Sequence, residues 1–265
     1  MTVLLIERVG ATAVLTMNRP DQRNALDPTM REAFAAAIDE VRDDPSVRAV
    51  VLTGAGGHFC AGGDVKAMVP ASGGQDKVFG GRERLLRLHR WFDELVDLEK
   101  PVIAAVDGVA FGAGLSLALA ADFVLASPRA RFCSVFARLG FVPDAGGMYL
   151  LPRAIGLARA KDLVFSARVV DAAEALQIGL AHRICEDDVL QAALAHAERY
   201  HAAPTAAIGI AKGVMNHAFE SERRQVYAQE GLAQAVCLQS EFHREAARRF
   251  VEKQPALYQW PQEEQ

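Results

Sequence analysis

The chain has 265 residues, 51% hydrophobic and 23% charged, enough apolar content to bury one large core or two modest ones without staples. Its formal charge of -4 leaves no basic excess, which argues against a phosphate-tracking nucleic-acid surface as the main function. Cys60, Cys133, Cys185 and Cys237 form neither a Cys-x-x-Cys pair nor a Cys/His zinc set, so reduced, mostly buried thiols and no metal are expected.

The chain opens at Met1-Thr2-Val3-Leu4 without the basic start, apolar stretch and cleavage site of a signal peptide, so a cytoplasmic location is expected. Two β-rich runs, residues 3–9 and 12–18, flank Gly10-Ala11 and predict an antiparallel hairpin closed by Asn18-Arg19-Pro20. Asp27-Pro28 predicts a helix to about Arg42, with Asp27 as cap and Met30, Phe34, Ala37, Ile38 and Val41 along one face. Residues 47–53 and 102–106 read as buried strands that run into glycine-rich loops. Between them, polar and glycine-rich residues 69–81 are expected to be mobile and to shape an acyl pocket. Leu85, Leu86, Leu88, Trp91, Phe92, Leu95 and Leu98 then mark a long helix ending before Pro101. The apolar run 109–121, cut by Gly112 and Gly114, is too short to span a bilayer. Strands at 123–126, 131–133 and 181–185 alternate with helices at 113–120, 157–166 and 171–178. From about Asp187 onward only helical periodicity remains, with starts near Pro204 and Ser221. The expectation is an α/β core over 1–200 and a helical region over 201–265, without a flexible linker.

Two loops carry chemical interest. The first, Gly57-His58-Phe59-Cys60-Ala61-Gly62-Gly63-Asp64-Val65, has small residues that let a ligand approach the backbone. In the second, Asp107-Gly108-Val109-Ala110-Phe111-Gly112-Ala113-Gly114, a strand feeds a helix N-terminus whose first N–H groups lack intrahelical partners. Neither matches a phosphate-binding fingerprint: Phe59 replaces the third glycine of the dinucleotide pattern, and no Gly-Lys-Ser/Thr follows.

Asn18-Arg19-Pro20 with Asn24-Ala25-Leu26, then residues Phe59 to Val65, then Lys100-Pro101 through Asp107-Gly108, and finally Gly140-Phe141-Val142-Pro143-Asp144-Ala145-Gly146-Gly147 occur in order. Together they resemble the enoyl-CoA hydratase/isomerase (crotonase) superfamily from about residue 3 to 255. The resemblance implies an α/β spiral of ββα units, a helical C-terminal region used for trimers or dimers of trimers, and a coenzyme A thioester as substrate with no prosthetic group. It also implies an oxyanion hole from the N–H groups of Ala61 and Ala113, and coenzyme A contacts from Arg23, Ala25, Ala61, Asp64, Val65, Phe250 and Lys253, the last two near a neighbouring site.

The hydratases of this superfamily use two glutamates, and Ser116 and Phe136 stand at those places here. Asp144 occupies the position of the single carboxylate of several isomerases, and the run from Val142 to Arg153 is similar to isomerases of phenylacetate catabolism, with Met148 where threonine is common. The alternative for Asp144 is a cap of a helix starting near Ala145, and for Asp64 likewise a helix cap. His58 reads as a loop or cofactor-contacting side chain and Ser116 as a helix or pocket-lining hydroxyl. The reading is an isomerase with Asp144 as acid and base. The alternatives are a hydratase that positions water with Asp144, and a non-catalytic acyl-CoA-binding or RNA-associated scaffold. A dehalogenase-like role is disfavoured by Phe136, where that branch carries tryptophan.

Overall fold

A computed structural model describes residues 2–64 and 77–260, with 77–81 and 84 given by backbone alone. Leu4–Val9 (β1) and Thr12–Met17 (β2) form the expected antiparallel hairpin, with Gly10 at φ 57°, a conformation that costs glycine no Cβ clash. Pro28–Asp43 (α1) follows, capped by the Asp27 carboxylate, which accepts the Met30 N–H at 2.8 Å. Its buried residues are the five that the spacing picks out.

Ala49–Gly54 (β3) leads toward the first loop, and Lys77–Val96 (α2) precedes Val102–Val106 (β4) and Val109–Phe111 (β5). Residues 77–81 belong to this helix; the rest of the stretch expected to be mobile, 69–76, lies outside the described residues. Each glycine at 80 and 81 costs a helix about 1 kcal/mol, and burial of Leu88, Trp91, Phe92 and Leu95 further along offsets such a cost. Ala113–Leu119 (α3), Phe123–Ala126 (β6), Arg131–Cys133 (β7), Gly147–Ile155 (α4), Leu157–Ser166 (α5), Val170–Asp171 (β8), Ala172–Ile178 (α6) and Arg183–Ile184 (β9) complete the alternating part.

The strands divide between two sheets. One has the order β1-β2-β3-β4-β6-β9, parallel after the first pair, and the other the order β5-β7-β8. Twice in succession a strand joins the large sheet, the next joins the small one, and the chain then turns helical, which is the expected ββα repetition. Strands β5 and β8 escape the sequence reading because β5 lies inside the apolar run 109–121 and β8 ends at the start of the helix expected over 171–178.

The central strands read as unbroken apolar runs because both faces are covered. Leu15, Val50, Leu52, Val102 and Ala104 face a core shared with α1, α2 and α3, while Val14, Val51, Ile103 and Leu125 face a second core beneath Val189–Glu198 (α7). Thr205–Asn216 (α8), Arg223–Leu238 (α9) and Glu241–Val251 (α10) follow. The start of α9 falls one residue past expectation, with Glu222 and Gln225 forming a reciprocal capping box. Helix α8 is pinned to the sheet by Lys212, whose Nζ donates to Asp122 Oδ2 at 2.9 Å and to the Lys100 carbonyl at 3.2 Å. Among the described residues no helix is long and apolar enough to cross a bilayer.

Candidate active site

The site is built from the turn between β2 and α1 outward. Arg23 and Asn24 both take left-handed backbone angles, φ 47° and 59°, the second at a residue type that tolerates them. Fully buried Asn24 accepts the Arg19 N–H at 2.9 Å and donates to the carbonyls of Ala55 (2.9 Å) and His58 (2.7 Å). It thereby fixes the start of the first loop. Arg19 spans the same turn, donating to the Ala25 carbonyl at 2.6 Å and pairing with Asp27 (3.3 Å) and Asp64 (3.2 Å). The Asp64 carboxylate is thus engaged with Arg19. Asn24→Ala leaves three part-buried backbone groups short of a partner, at up to about 1 kcal/mol each. Thermal unfolding is expected to shift down by several degrees, with turnover falling as the loop loosens.

The two glycine-rich loops are stitched together through their backbones. Phe59 N–H donates to the Asp107 carbonyl (2.7 Å), Cys60 N–H to Val109 (2.9 Å), and Phe111 N–H to Cys60 (2.9 Å). Contact is close enough to require glycine: a Cβ on Gly114 would lie 2.2 Å from the Cys60 carbonyl oxygen, and one on Gly62 2.6 Å from that of Phe111. The same Gly62 Cβ would sit 3.4 Å from Ala113 N, so the first loop lies against the N-terminus of α3.

This arrangement corrects one expectation. The Ala61 N–H donates to the Arg23 carbonyl at 2.9 Å and is not directed at a ligand. Leu26 pairs with Gly63 as a parallel bridge, using the Gly62 carbonyl (2.7 Å) and the Asp64 N–H (3.3 Å). Backbone alternation then turns the Gly63 N–H to the opposite side, where no acceptor among the described residues meets it. Ala113, the first residue of α3, likewise has no intrahelical acceptor for its N–H. Sequence spacing did not separate Ala61 from Gly63 because the strand-like alternation here is set by Leu26, far back in the chain.

Gly63, Ala113 and Asp144 line one pocket of about 220 Å³, walled by Leu85, Val135, Phe136, Leu139, Phe141 and Val142 and reached by Arg31 from α1. Asp144 is half-buried with its Oδ1 shielded from solvent. It does not cap α4: the N-cap is Gly146, with no side-chain bond. The Asp144 carbonyl accepts the Ser116 hydroxyl at 3.1 Å and the Gly147 N–H at 2.9 Å, and left-handed Ala145 and Gly146 turn the chain behind it. Ser116 is thus a buried anchor for the Asp144 turn, and Phe136 fills pocket wall.

Other polar groups nearby are not set up as nucleophile or base. Burial pushes the Cys60 thiol up to about 12, leaving it uncharged. Partial burial, with the Arg23 and Arg129 guanidinium groups, lowers the pKa of the His58 imidazole and favours its neutral form. Asp107 is held by Ser127 and Arg129 at 2.7 Å each and braces the second loop. Among the described residues no group of three or more His, Cys, Asp or Glu side chains is gathered for a metal.

The residues expected to touch coenzyme A are dispersed. Exposed Arg23 and buried Ala25 border the first loop beside Ala61 and Asp64, whereas Val65 lies outside the described residues. Phe250, 85% exposed, sits on α10, and Lys253 follows it in a left-handed conformation. Neither lines the pocket of its own chain.

The mixed α/β fold brings the two glycine-rich loops and the Asp144 turn to one largely apolar pocket. Comparison with known proteins identifies the lineage. A family model described as "Enoyl-CoA hydratase/isomerase" matches residues 7–262. A short-chain-enoyl-CoA hydratase of Clostridium acetobutylicum is 34% identical over 252 residues, 94% of this chain and 95% of that protein. A 1,2-epoxyphenylacetyl-CoA isomerase of Escherichia coli K12 is 36% identical over 209 residues, 77% and 78% of the two chains. The crystal structure of an enoyl-CoA hydratase/isomerase from Cupriavidus metallidurans CH34 superposes with a TM-score of 0.91 at 37% identity, covering 100% of this chain and 99% of that one. The chain belongs to the enoyl-CoA hydratase/isomerase family.

Proposed function

We propose that the protein is an enoyl-CoA isomerase that shifts a double bond, or assists a related ring isomerisation, with Asp144 as its single acid and base. The observation that carries this reading is that Asp144 is the single carboxylate among the described residues lining the pocket, while Ser116 and Phe136 stand where the family resemblance places the glutamates of hydratases. Asp144 removes a proton from the α or γ carbon. Negative charge then collects on the thioester oxygen, which rests on the N–H groups of Gly63 and Ala113, each worth on the order of 3 kcal/mol to the transition state. Asp144 returns the proton to the other carbon, and no atom is gained.

Coenzyme A is the handle of the substrate, received along Arg23, Ala25, Ala61, Asp64 and Val65. Phe250 and Lys253 serve a neighbouring subunit's site in a trimer or a dimer of trimers. Supporting assembly, α9 and α10 bury none of their residues and expose Tyr227, Leu232, Val236 and Val251. Sedimentation at the mass of three or six chains is expected; a monomer would remove this role for Phe250 and Lys253.

The second reading is a hydratase that positions water with Asp144, and its support is that hydratase names predominate among the relatives. An ultraviolet and mass-spectrometric time course with matched β,γ- and α,β-unsaturated acyl-CoA thioesters separates the two. Interconversion at constant mass is expected; gain of one water would establish the hydratase and require a second acid.

A further inference from the structure

The pocket that holds Asp144 carries a charge of the other sign. Among the described residues lining it, Arg31 and Asp144 alone bear charged side chains, and the remainder are apolar or glycine. Arg31 is half-buried, with its Nε shielded from solvent, and reaches the pocket from α1 rather than from either oxyanion loop. It also borders a groove of about 630 Å³ between α1 and α2, lined by Leu88 and Trp91 and by the charged Glu32, Asp39, Arg87, Arg90 and Glu94. Its side chain thus lines both spaces. At about 220 Å³ the pocket is below the roughly 300–1,000 Å³ of sites that enclose drug-sized ligands. Such a space suits a short acyl group whose far end comes up to Arg31.

We propose that Arg31 selects short acyl groups that end in a carboxylate. The inference rests on the assignment of this pocket to the acyl chain. A guanidinium presents five N–H donors in a planar fork, enough to keep a partner within the chain and still receive both oxygens of a carboxylate. Placing the cation on α1 lets a substrate carboxylate find its counter-charge on an element separate from the Asp144 turn. An unpaired carboxylate among Leu85, Val135 and Phe136 would be strongly disfavoured.

The test is binding, independent of turnover. Dissociation constants of pentanoyl-CoA and glutaryl-CoA, equal in carbon number and differing at the end group, are measured on the full chain and on Arg31→Met and Arg31→Lys. The full chain is expected to favour glutaryl-CoA, and Arg31→Met to lose about ten- to hundredfold for glutaryl-CoA alone, as removal of a charge-assisted pair predicts. Pentanoyl-CoA binding should hold in all three proteins, which also reports that they are folded, and Arg31→Lys should keep part of the preference. Equal weakening of both thioesters by Arg31→Met, or no preference in the full chain, overturns the proposal. Failure of the full chain to bind pentanoyl-CoA instead overturns the assignment of the pocket and the inference with it.

Discussion

Replacing Asp144 with asparagine is expected to lower turnover of a β,γ-enoyl-CoA by about 10²–10⁴-fold, the range for loss of a positioned acid or base. Asparagine has nearly the same shape, and the Asp144 backbone carbonyl still accepts from Ser116 and Gly147. The turn is therefore retained while the site for the travelling proton is lost. Thermal unfolding and pentanoyl-CoA affinity should stay close to those of the unaltered chain. Asp144→Glu should recover little, because one added methylene moves the carboxyl within a pocket of fixed walls. Near-normal turnover by Asp144→Asn would sink the single-carboxylate mechanism.

The second large effect concerns stability. Lys212 is 6% exposed and meets Asp122, whose Oδ2 also accepts the Val102 N–H at 2.7 Å. Lys212→Met takes the cation from a carboxylate whose side chain is 23% exposed and removes a buried ammonium from its partners, a change expected to cost about 1–3 kcal/mol. For a chain of this size, at about 2–4 °C per kcal/mol, the unfolding midpoint should fall by several degrees.

The loss should depend on pH in a defined direction. Burial raises the Asp122 carboxyl above its ordinary 3.8, with Lys212 and the Val102 N–H pulling the other way. A raised folded-state value means that the folded chain retains a proton which the unfolded chain has released, so stability falls as pH rises through that interval. Removing the ammonium raises the folded value further and widens the interval upward. The deficit of Lys212→Met should thus be greatest near neutrality and shrink as the pH is lowered toward 3.8, and Lys212→Met with Asp122→Asn should recover part of it. Denaturation curves across this range test the point; a deficit that ignores pH would show that packing of the lysine stem, not charge, is what α8 loses.

Much of this architecture is legible from residue order because local and tertiary preferences agree. Asp27-Pro28 starts a helix whose five apolar positions all enter the core, and the continuous apolar runs at β3 and β4 are strands buried on both faces. Agreement fails where partners are distant or elements short. Glycine-rich 77–81 is helical despite its composition, and two- and three-residue strands such as β5 and β8 exist only through their neighbours.

The site divides the same way. Residue order by itself determined that two glycine-rich loops follow buried strands and that Asp144 is the carboxylate available in its segment, which follow from side-chain identity and spacing along one chain; that Ser116 and Phe136 stand at hydratase glutamate positions is what the family resemblance implies. Only the tertiary structure decided which backbone N–H groups face the pocket, since the pairing of Leu26 with Gly63 turns one donor inward and the Arg23 carbonyl occupies that of Ala61. It alone brought Arg31 of α1 to the pocket that Asp144 lines, a meeting of distant segments that no local spacing encodes.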